Sequence, residues 1–151
     1  MTPRLDPWTA APKPMMALLA YNNAIAEAGL EPSLIHLVKL RASLINGCAF
    51  CIELHTREAL ADGDTPARLG LISAWHESFL FSEEEKVALA WTEAVTRLGP
   101  NGPDDDLFAR AQKAFGDEKL VVLTLLVTVI NAWNGISIAV AAVHADPADA
   151  A

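Results

Sequence analysis

The longest uncharged stretch of this chain, residues 120–143, constrains the fold most strongly. As a helix it is long enough to cross a bilayer, which needs about 20 apolar residues. Asn131 and Asn134 interrupt it, however, and their amides would cost free energy if they faced lipid without hydrogen-bond partners. We therefore expect a long helix that is buried in the protein core or in a subunit interface, and no membrane contact.

Composition narrows the class of protein further. The chain has 151 residues, 52% apolar and 20% charged, which is typical of one globular domain with a full hydrophobic core. Its formal net charge of -8 argues against nucleic acid, whose phosphates need a basic surface, and against anionic lipid headgroups. Residues 1–8 contain prolines and an acid but no apolar run, so we expect no secretory signal peptide and a cytoplasmic location.

Helical periodicity, helix caps and helix breakers together predict an all-α fold. Ser33 and Ser82 are the expected caps of two helices, and Glu85 completes a capping box with Ser82. The predicted helices cover residues 15–28, 33–45, 48–61, 65–75, 83–98, 104–115 and 117–143. We expect an irregular arm over residues 1–14, a single domain over 15–145 and a frayed tail over 146–151.

The segment Cys48-Ala-Phe-Cys51-Ile-Glu-Leu-His55 carries the strongest chemical signal. On a helix that begins near Gly47, the two cysteines and His55 share one face. The first turn of a helix favours an anion, so a cysteine there has a lowered pKa and a reactive thiolate. The spacing also allows the two sulfurs to close a disulfide. Asn46-Gly47 breaks the helix, and the resulting hairpin should bring His36 opposite the neighbourhood of His55.

Three interpretations of this cluster compete. The cysteines could be small buried apolar residues with His55 as an ordinary core or surface side chain. Cys48, Cys51, His55 and His36 could instead bind zinc, although three ligands on one helix face are unusual for a structural zinc site. The redox spacing and the histidine on the same face favour a redox-active dithiol. We therefore expect neither a bound metal nor an organic cofactor.

Residues 37–55, Leu-Val-Lys-Leu-Arg-Ala-Ser-Leu-Ile-Asn-Gly-Cys-Ala-Phe-Cys-Ile-Glu-Leu-His, resemble the AhpD-like alkylhydroperoxidase group of the carboxymuconolactone decarboxylase family. Residues 81–94 and 130–134 are also similar to it. The resemblance implies an all-helical fold with the CxxC pair at the start of a central helix, assembled into trimers or hexamers. It also implies reduction of a hydroperoxide by the cysteine pair, which a dithiol electron donor then reduces again.

The resemblance further implies a role for each site residue. Cys51 would be the attacking thiol, Cys48 the resolving thiol, and His55 part of the proton relay that activates Cys51. The family usually has a glutamate where this chain has His36, so the relay histidine is expected to lose its negative partner and the pH profile to change. Phe50 stands where the best-known members have a histidine.

Two other functions remain open at this point. The decarboxylase branch of the same family does not rely on a CxxC pair, so the two cysteines weigh against it. A non-enzymatic oligomer that senses redox state or binds a small ligand is supported by His36 in place of the acid. Among the remaining polar residues, Glu53 is interpreted as a surface charge, and Asn131, Trp133 and Asn134 as part of a subunit interface rather than a pocket.

Overall fold

The computed structural model describes residues 2–100 and 102–144. Within these residues the regular elements are all helical, which confirms the predicted fold class. The elements are α1 (Pro7–Ala10), α2 (Pro12–Ala26), α3 (Pro32–Asn46), α4 (Ala49–Ala61), α5 (Pro66–Gly70), a 3₁₀ helix (Ile72–Glu77), α6 (Glu83–Thr96) and α7 (Asp105–Ala139).

The N-terminal segment differs from its prediction. Residues 1–14 were expected to be irregular, but α1 begins at Pro7 and α2 already begins at Pro12. Proline at the first position of a helix has no donor to lose and a φ angle that suits the helix, so these prolines start helices instead of excluding them. Asp6 caps α1 by accepting a hydrogen bond from the Trp8 amide at 2.9 Å. The tail predicted to be frayed, residues 146–151, lies outside the described residues.

The predicted cap is present at one of two further helix starts and absent at the other. The Ser82–Glu85 capping box is present in both directions, and Glu85 also binds Arg68 of α5 at 2.6 Å. Ser33, in contrast, lies inside the first turn of α3, which begins one residue earlier at Pro32 and has no side-chain cap. The helix predicted over 65–75 is divided into α5 and the 3₁₀ helix.

The long apolar helix is a core helix of this fold. By length and composition α7 could cross a membrane. Its side chains Leu123, Leu126 and Ile130 are nevertheless fully buried within the protein, where α7 packs against α3 and α6. Gly116 breaks α7 with φ 70° and ψ 171°, so the change of helix predicted at this glycine is confirmed. Residues 105–115 therefore form one segment of α7, and residues 117–139, which contain most of the uncharged stretch, form another.

Helix α3 is the centre of the fold. One apolar cluster joins it to α2, α6 and α7, and a second joins it to α4, α5, the 3₁₀ helix and α6. Arg41 of α3, only 8% exposed, binds Glu93 of α6 at 2.8 Å and adds an ion pair to this packing. Because α3 is packed on several sides, the turn between α3 and α4 has a fixed position. This turn carries the cysteine motif.

Candidate functional site

The turn between α3 and α4 brings the two cysteines together. Gly47 ends α3 in the left-handed conformation, with φ 70° and ψ 31°. Cys48 then caps α4, and its sulfur accepts a hydrogen bond from the Cys51 amide at 3.4 Å. The two residues form a disulfide with their Cα atoms 5.4 Å apart. The spacing seen in the sequence therefore corresponds to a closed cysteine pair at the first turn of a helix.

The two cysteines differ in whether they line a cavity. Both are buried, with exposed fractions of 1% for Cys48 and 3% for Cys51. Cys51 lines a cavity of about 600 Å³, together with His55 from the same face of α4. Cys48 is not among the residues that line it. A small molecule in the cavity would therefore meet Cys51 first.

The cavity is mainly apolar and has walls from several parts of the chain. The segment before α1, and α1 itself, cover one side, while α2, α4, α7 and the residues after α7 form the others, with Lys39 from α3. The large apolar side chains in its wall are Leu5, Trp8, Met15, Leu19, Phe50, Leu54, Ile130, Trp133, Ile136, Val140 and Val143. Trp8 and Trp133 stack with their ring centroids 6.0 Å apart. Such a wall suits a ligand with an apolar body.

His55 has a carboxylate partner on its own helix. Its Nδ1 lies 2.8 Å from Oε2 of Glu58, three residues further along α4. His55 is 6% exposed, whereas the Glu58 side chain reaches the edge of the site and is 43% exposed. A carboxylate beside Nδ1 accepts a hydrogen bond from the proton on that nitrogen, so Nε2 is the nitrogen left to act as a base.

Basic groups surround Glu58. The hydrogen bond from His55 lowers the pKa of Glu58 most, partial burial opposes this, and the charges of His55, Lys39 and His36 lower it further. Lys39 of α3 also lines the cavity, and burial lowers its pKa while the nearby Glu58 works in the opposite direction. Glu58 is therefore held as an anion at neutral pH, between α3 and α4.

His36 was predicted to lie opposite the neighbourhood of His55. Its Nε2 lies 2.7 Å from Oδ2 of Asp62, the residue that follows α4, and its charge also acts on Glu58. Its Nδ1 is buried and has no hydrogen-bond partner among the described residues. The histidines thus form two separate pairs, His55 with Glu58 and His36 with Asp62. The expected loss of a negative partner for His55 is wrong, because Glu58 supplies one.

Sequence reasoning missed Glu58 and Lys39. The available signal for Glu58 was its spacing of three residues from His55, which places both on one side of a helix. Glu53 was correctly set aside, since it binds Arg57 at 3.3 Å on the outside of α4. Lys39 was hidden in an apolar stretch of α3, where only the packing of α3 against α4 shows which cavity it reaches.

The residues considered for zinc do not converge. Among the described residues, no group of three or more histidine, cysteine or acidic side chains is arranged to hold a metal ion. Cys48 and Cys51 are joined to each other, and His36 is engaged by Asp62. The geometry instead fits a dithiol–disulfide pair beside a histidine.

The three α7 residues that were interpreted as part of a subunit interface all have partners within the chain, and their contact with a second subunit stays a prediction; they are Asn131, Trp133 and Asn134. Asn134 is 1% exposed, accepts a hydrogen bond from Asn46 and donates one to Ser43, all within one chain. Trp133 lines the cavity beside Trp8. Trp133 is therefore part of a pocket. Asn134 holds the end of α3 next to the cysteine turn through its hydrogen bonds.

Comparison with known proteins agrees with this geometry. The model of the carboxymuconolactone decarboxylase family matches residues 12–94, which include the cysteine pair and His55. The uncharacterized protein YdfG of Bacillus subtilis is 34% identical over 92% of this chain and 95% of its own length. The uncharacterized protein YnjA of Escherichia coli is 30% identical over 68% of this chain and 56% of its own length.

A solved structure is similar along almost the whole chain. It is a crystal structure of an Agrobacterium tumefaciens protein of unknown function, described as a candidate antioxidant defence protein AhpD. The two chains share 38% identity, with a TM-score of 0.92 over 96% of this chain and 99% of the other. The helices that carry the cysteine pair therefore belong to a known arrangement.

Proposed function

We propose that this chain, which belongs to the AhpD-like group of the carboxymuconolactone decarboxylase family, is a thiol-dependent peroxidase that reduces organic hydroperoxides. One observation carries the proposal: Cys51, one half of a closed cysteine pair, lines an apolar cavity together with His55. The likeness to a candidate antioxidant defence protein supports the redox class.

The proposed reaction begins with the reduced pair. His55 takes the proton of the Cys51 thiol, and the thiolate attacks the terminal oxygen of the hydroperoxide. The O–O bond breaks, the alcohol leaves with a proton returned by His55, and Cys51 becomes a sulfenic acid. The Cys48 thiol then displaces water from that sulfur and closes the disulfide. Two thiols and one hydroperoxide thus give one disulfide, one alcohol and one water.

A dithiol electron donor would complete the cycle by thiol–disulfide exchange, in which the donor is oxidised and the Cys48–Cys51 pair is reduced. We propose the cytoplasm as the location, because a pair that must be reduced in every cycle requires a reducing compartment. We also propose a trimer or hexamer. Exposed apolar side chains on α7, Val121 and Ile138, are available for such contacts, and the molar mass in solution measures the assembly.

The principal test is the variant Cys51→Ser. It removes the attacking sulfur, so peroxide-dependent oxidation of a dithiol donor should fall to the background rate. Cys48→Ser is the matched variant: it keeps the attacking thiol but cannot close the disulfide, so one equivalent of hydroperoxide should be consumed without turnover. Turnover of Cys51→Ser at the wild-type rate would contradict the proposal. Activity on a carboxylated lactone that survived loss of both cysteines would favour the decarboxylase branch.

A further inference from the structure

We infer that Glu58 is the acid that holds His55 in position and stabilises its protonated form. The acid of the proton relay would therefore lie on α4 in this chain, and not at position 36 on α3. The inference rests on the proposed function only in taking Cys51 and His55 as the reactive pair. Its basis is the contact between His55 Nδ1 and Glu58 Oε2 at 2.8 Å, within one helix.

The contact has the geometry of a histidine held by a carboxylate. His55 is almost completely buried, so its ring has few other orientations available. The spacing of three residues lets the pair form without any movement between helices. With the carboxylate at Nδ1, the proton is held there and Nε2 becomes the basic nitrogen. Glu58 is thus a positioning residue, acting on Cys51 only through His55.

The charges around Glu58 keep it ionised for this role. Lys39 and His36 face it from α3, and both add to the effect of His55. Asp6 is the other acidic residue in the cavity wall. Asp62, which follows α4, is paired with His36 at 2.7 Å. Position 36 itself carries a base, so Glu58 is the carboxylate that is in contact with His55.

The chemical consequence concerns the ion pair between thiolate and imidazolium. When Cys51 gives its proton to His55, the imidazolium gains a positive charge in a buried position. A hydrogen-bonded carboxylate stabilises that charge, so it favours formation of the thiolate. Removal of Glu58 should therefore make the Cys51 thiolate harder to form, although a negative charge has been taken away from the region.

The test measures the thiolate directly. Cys48→Ser leaves Cys51 as the single thiol of the chain, since the sequence contains 2 cysteines. The rate of alkylation of Cys51 by iodoacetamide is followed by mass spectrometry across pH, with and without Glu58→Gln. We expect the midpoint of the profile to move up by about one pH unit, and the rate on the acid side of the midpoint to fall about 10-fold. Glu53→Gln, on the same helix, is the matched control and should stay within about twofold.

Two results would overturn the inference: an unchanged profile in Glu58→Gln, or a midpoint that moves to lower pH, which would mean that Glu58 acts only as a nearby negative charge. Circular dichroism checks that each variant is folded. If Glu58→Gln does not fold, Glu58→Asp withdraws the carboxylate by one methylene and should shift the midpoint in the same upward direction.

Alkylation needs no hydroperoxide, so it separates this inference from the proposed function. A wild-type chain without peroxidase activity would defeat the proposed function, while the alkylation profile would still decide the role of Glu58. Where turnover is present, Glu58→Gln should lower kcat about 10-fold or more and leave KM for the hydroperoxide within about twofold, because Glu58 acts on the proton transfer.

Discussion

At the scale of single residues, an ion pair between the buried Arg41 of α3 and the partly exposed Glu93 of α6 links two packed helices. Glu93 of α6 accepts hydrogen bonds from Arg41 at 2.9 Å and from the Trp75 indole at 2.7 Å. Burial alone would raise the pKa of Glu93, but the hydrogen bonds from Trp75 and Arg41 and the charges of Arg41 and Arg97 outweigh it, so the pKa is lowered. Ionised Glu93 therefore stabilises the folded state.

This pair gives a stability prediction with a defined pH dependence. Glu93→Gln leaves the Arg41 guanidinium buried without its charged partner, and should lower the free energy of unfolding at pH 7 by about 1.5–3 kcal/mol. A carboxyl group with a lowered pKa in the folded state stabilises the protein above its unfolded pKa, near 4.3, and this contribution is lost as the pH falls through the folded value. The difference between variant and wild type should therefore shrink at pH 3.

Urea denaturation at pH 7 and pH 3 measures this difference. Glu53→Gln removes an exposed ion pair on the outside of α4 and should cost about 0.5 kcal/mol or less at pH 7. Equal destabilisation by the two variants would show that the Arg41–Glu93 pair has no special role.

At the scale of elements, glycines decide where helices change direction. Gly116 has φ 70° and ψ 171°, a backbone conformation that is almost exclusive to glycine. A Cβ atom at this position would meet no atom within 4 Å, so only the backbone strain opposes a side chain there. Gly135 lies in a regular part of α7 and also has open space around it.

These two glycines therefore predict opposite effects of the same substitution. Gly116→Ala should lower the free energy of unfolding by about 1–3 kcal/mol, because alanine is strained at that φ and ψ. Gly135→Ala should raise it by about 0.5–1 kcal/mol, because alanine loses less conformational freedom in a helix. The urea midpoints of the two variants check both values. A Gly116→Ala variant as stable as wild type would contradict this account of the break in α7.

At the scale of the whole molecule, the two ends of the described chain meet over the cavity. The Arg4 amide donates to the carbonyl of Val140 at 2.8 Å, and its guanidinium donates to that of Ala139 at 3.2 Å. Trp8 then lies on Trp133 of α7. The N-terminal segment thus closes one side of the space in front of Cys51, so it should influence which hydroperoxides bind.

The variant Trp8→Ala tests this influence. Trp8 is part of the cavity wall that an aromatic hydroperoxide would contact, and loss of an aromatic contact costs about 0.5–1.5 kcal/mol, so KM for cumene hydroperoxide should rise about 2- to 10-fold. Hydrogen peroxide has no apolar body, and its KM should stay unchanged. Phe79→Ala is the control, because Phe79 is 93% exposed and does not line the cavity. An equal rise in KM for both peroxides would show that Trp8 acts on the site in general and not on the apolar part of the substrate.

The sequence by itself determined the features that depend on neighbours along the chain. The all-helical class, the Ser82–Glu85 cap, the breaks at Gly47 and Gly116 and the shared face of Cys51 and His55 follow from periodicity and local backbone preferences. These rules concern residues within one turn, so they apply before any tertiary contact forms.

Only the tertiary structure decided which groups meet around the cysteine motif. The pairing of His36 with Asp62 depends on how α3 lies along α4. The periodic pattern of apolar residues in a sequence does not specify the crossing angle or the register of two helices. The choice of Glu58 for His55, in contrast, was possible from spacing, because residues three apart share a helix face and Glu53, two residues before His55, does not. The contact of the N-terminal segment with the end of α7, in front of Cys51, joins residues that are far apart in sequence. Rules that concern neighbouring residues cannot predict such a contact.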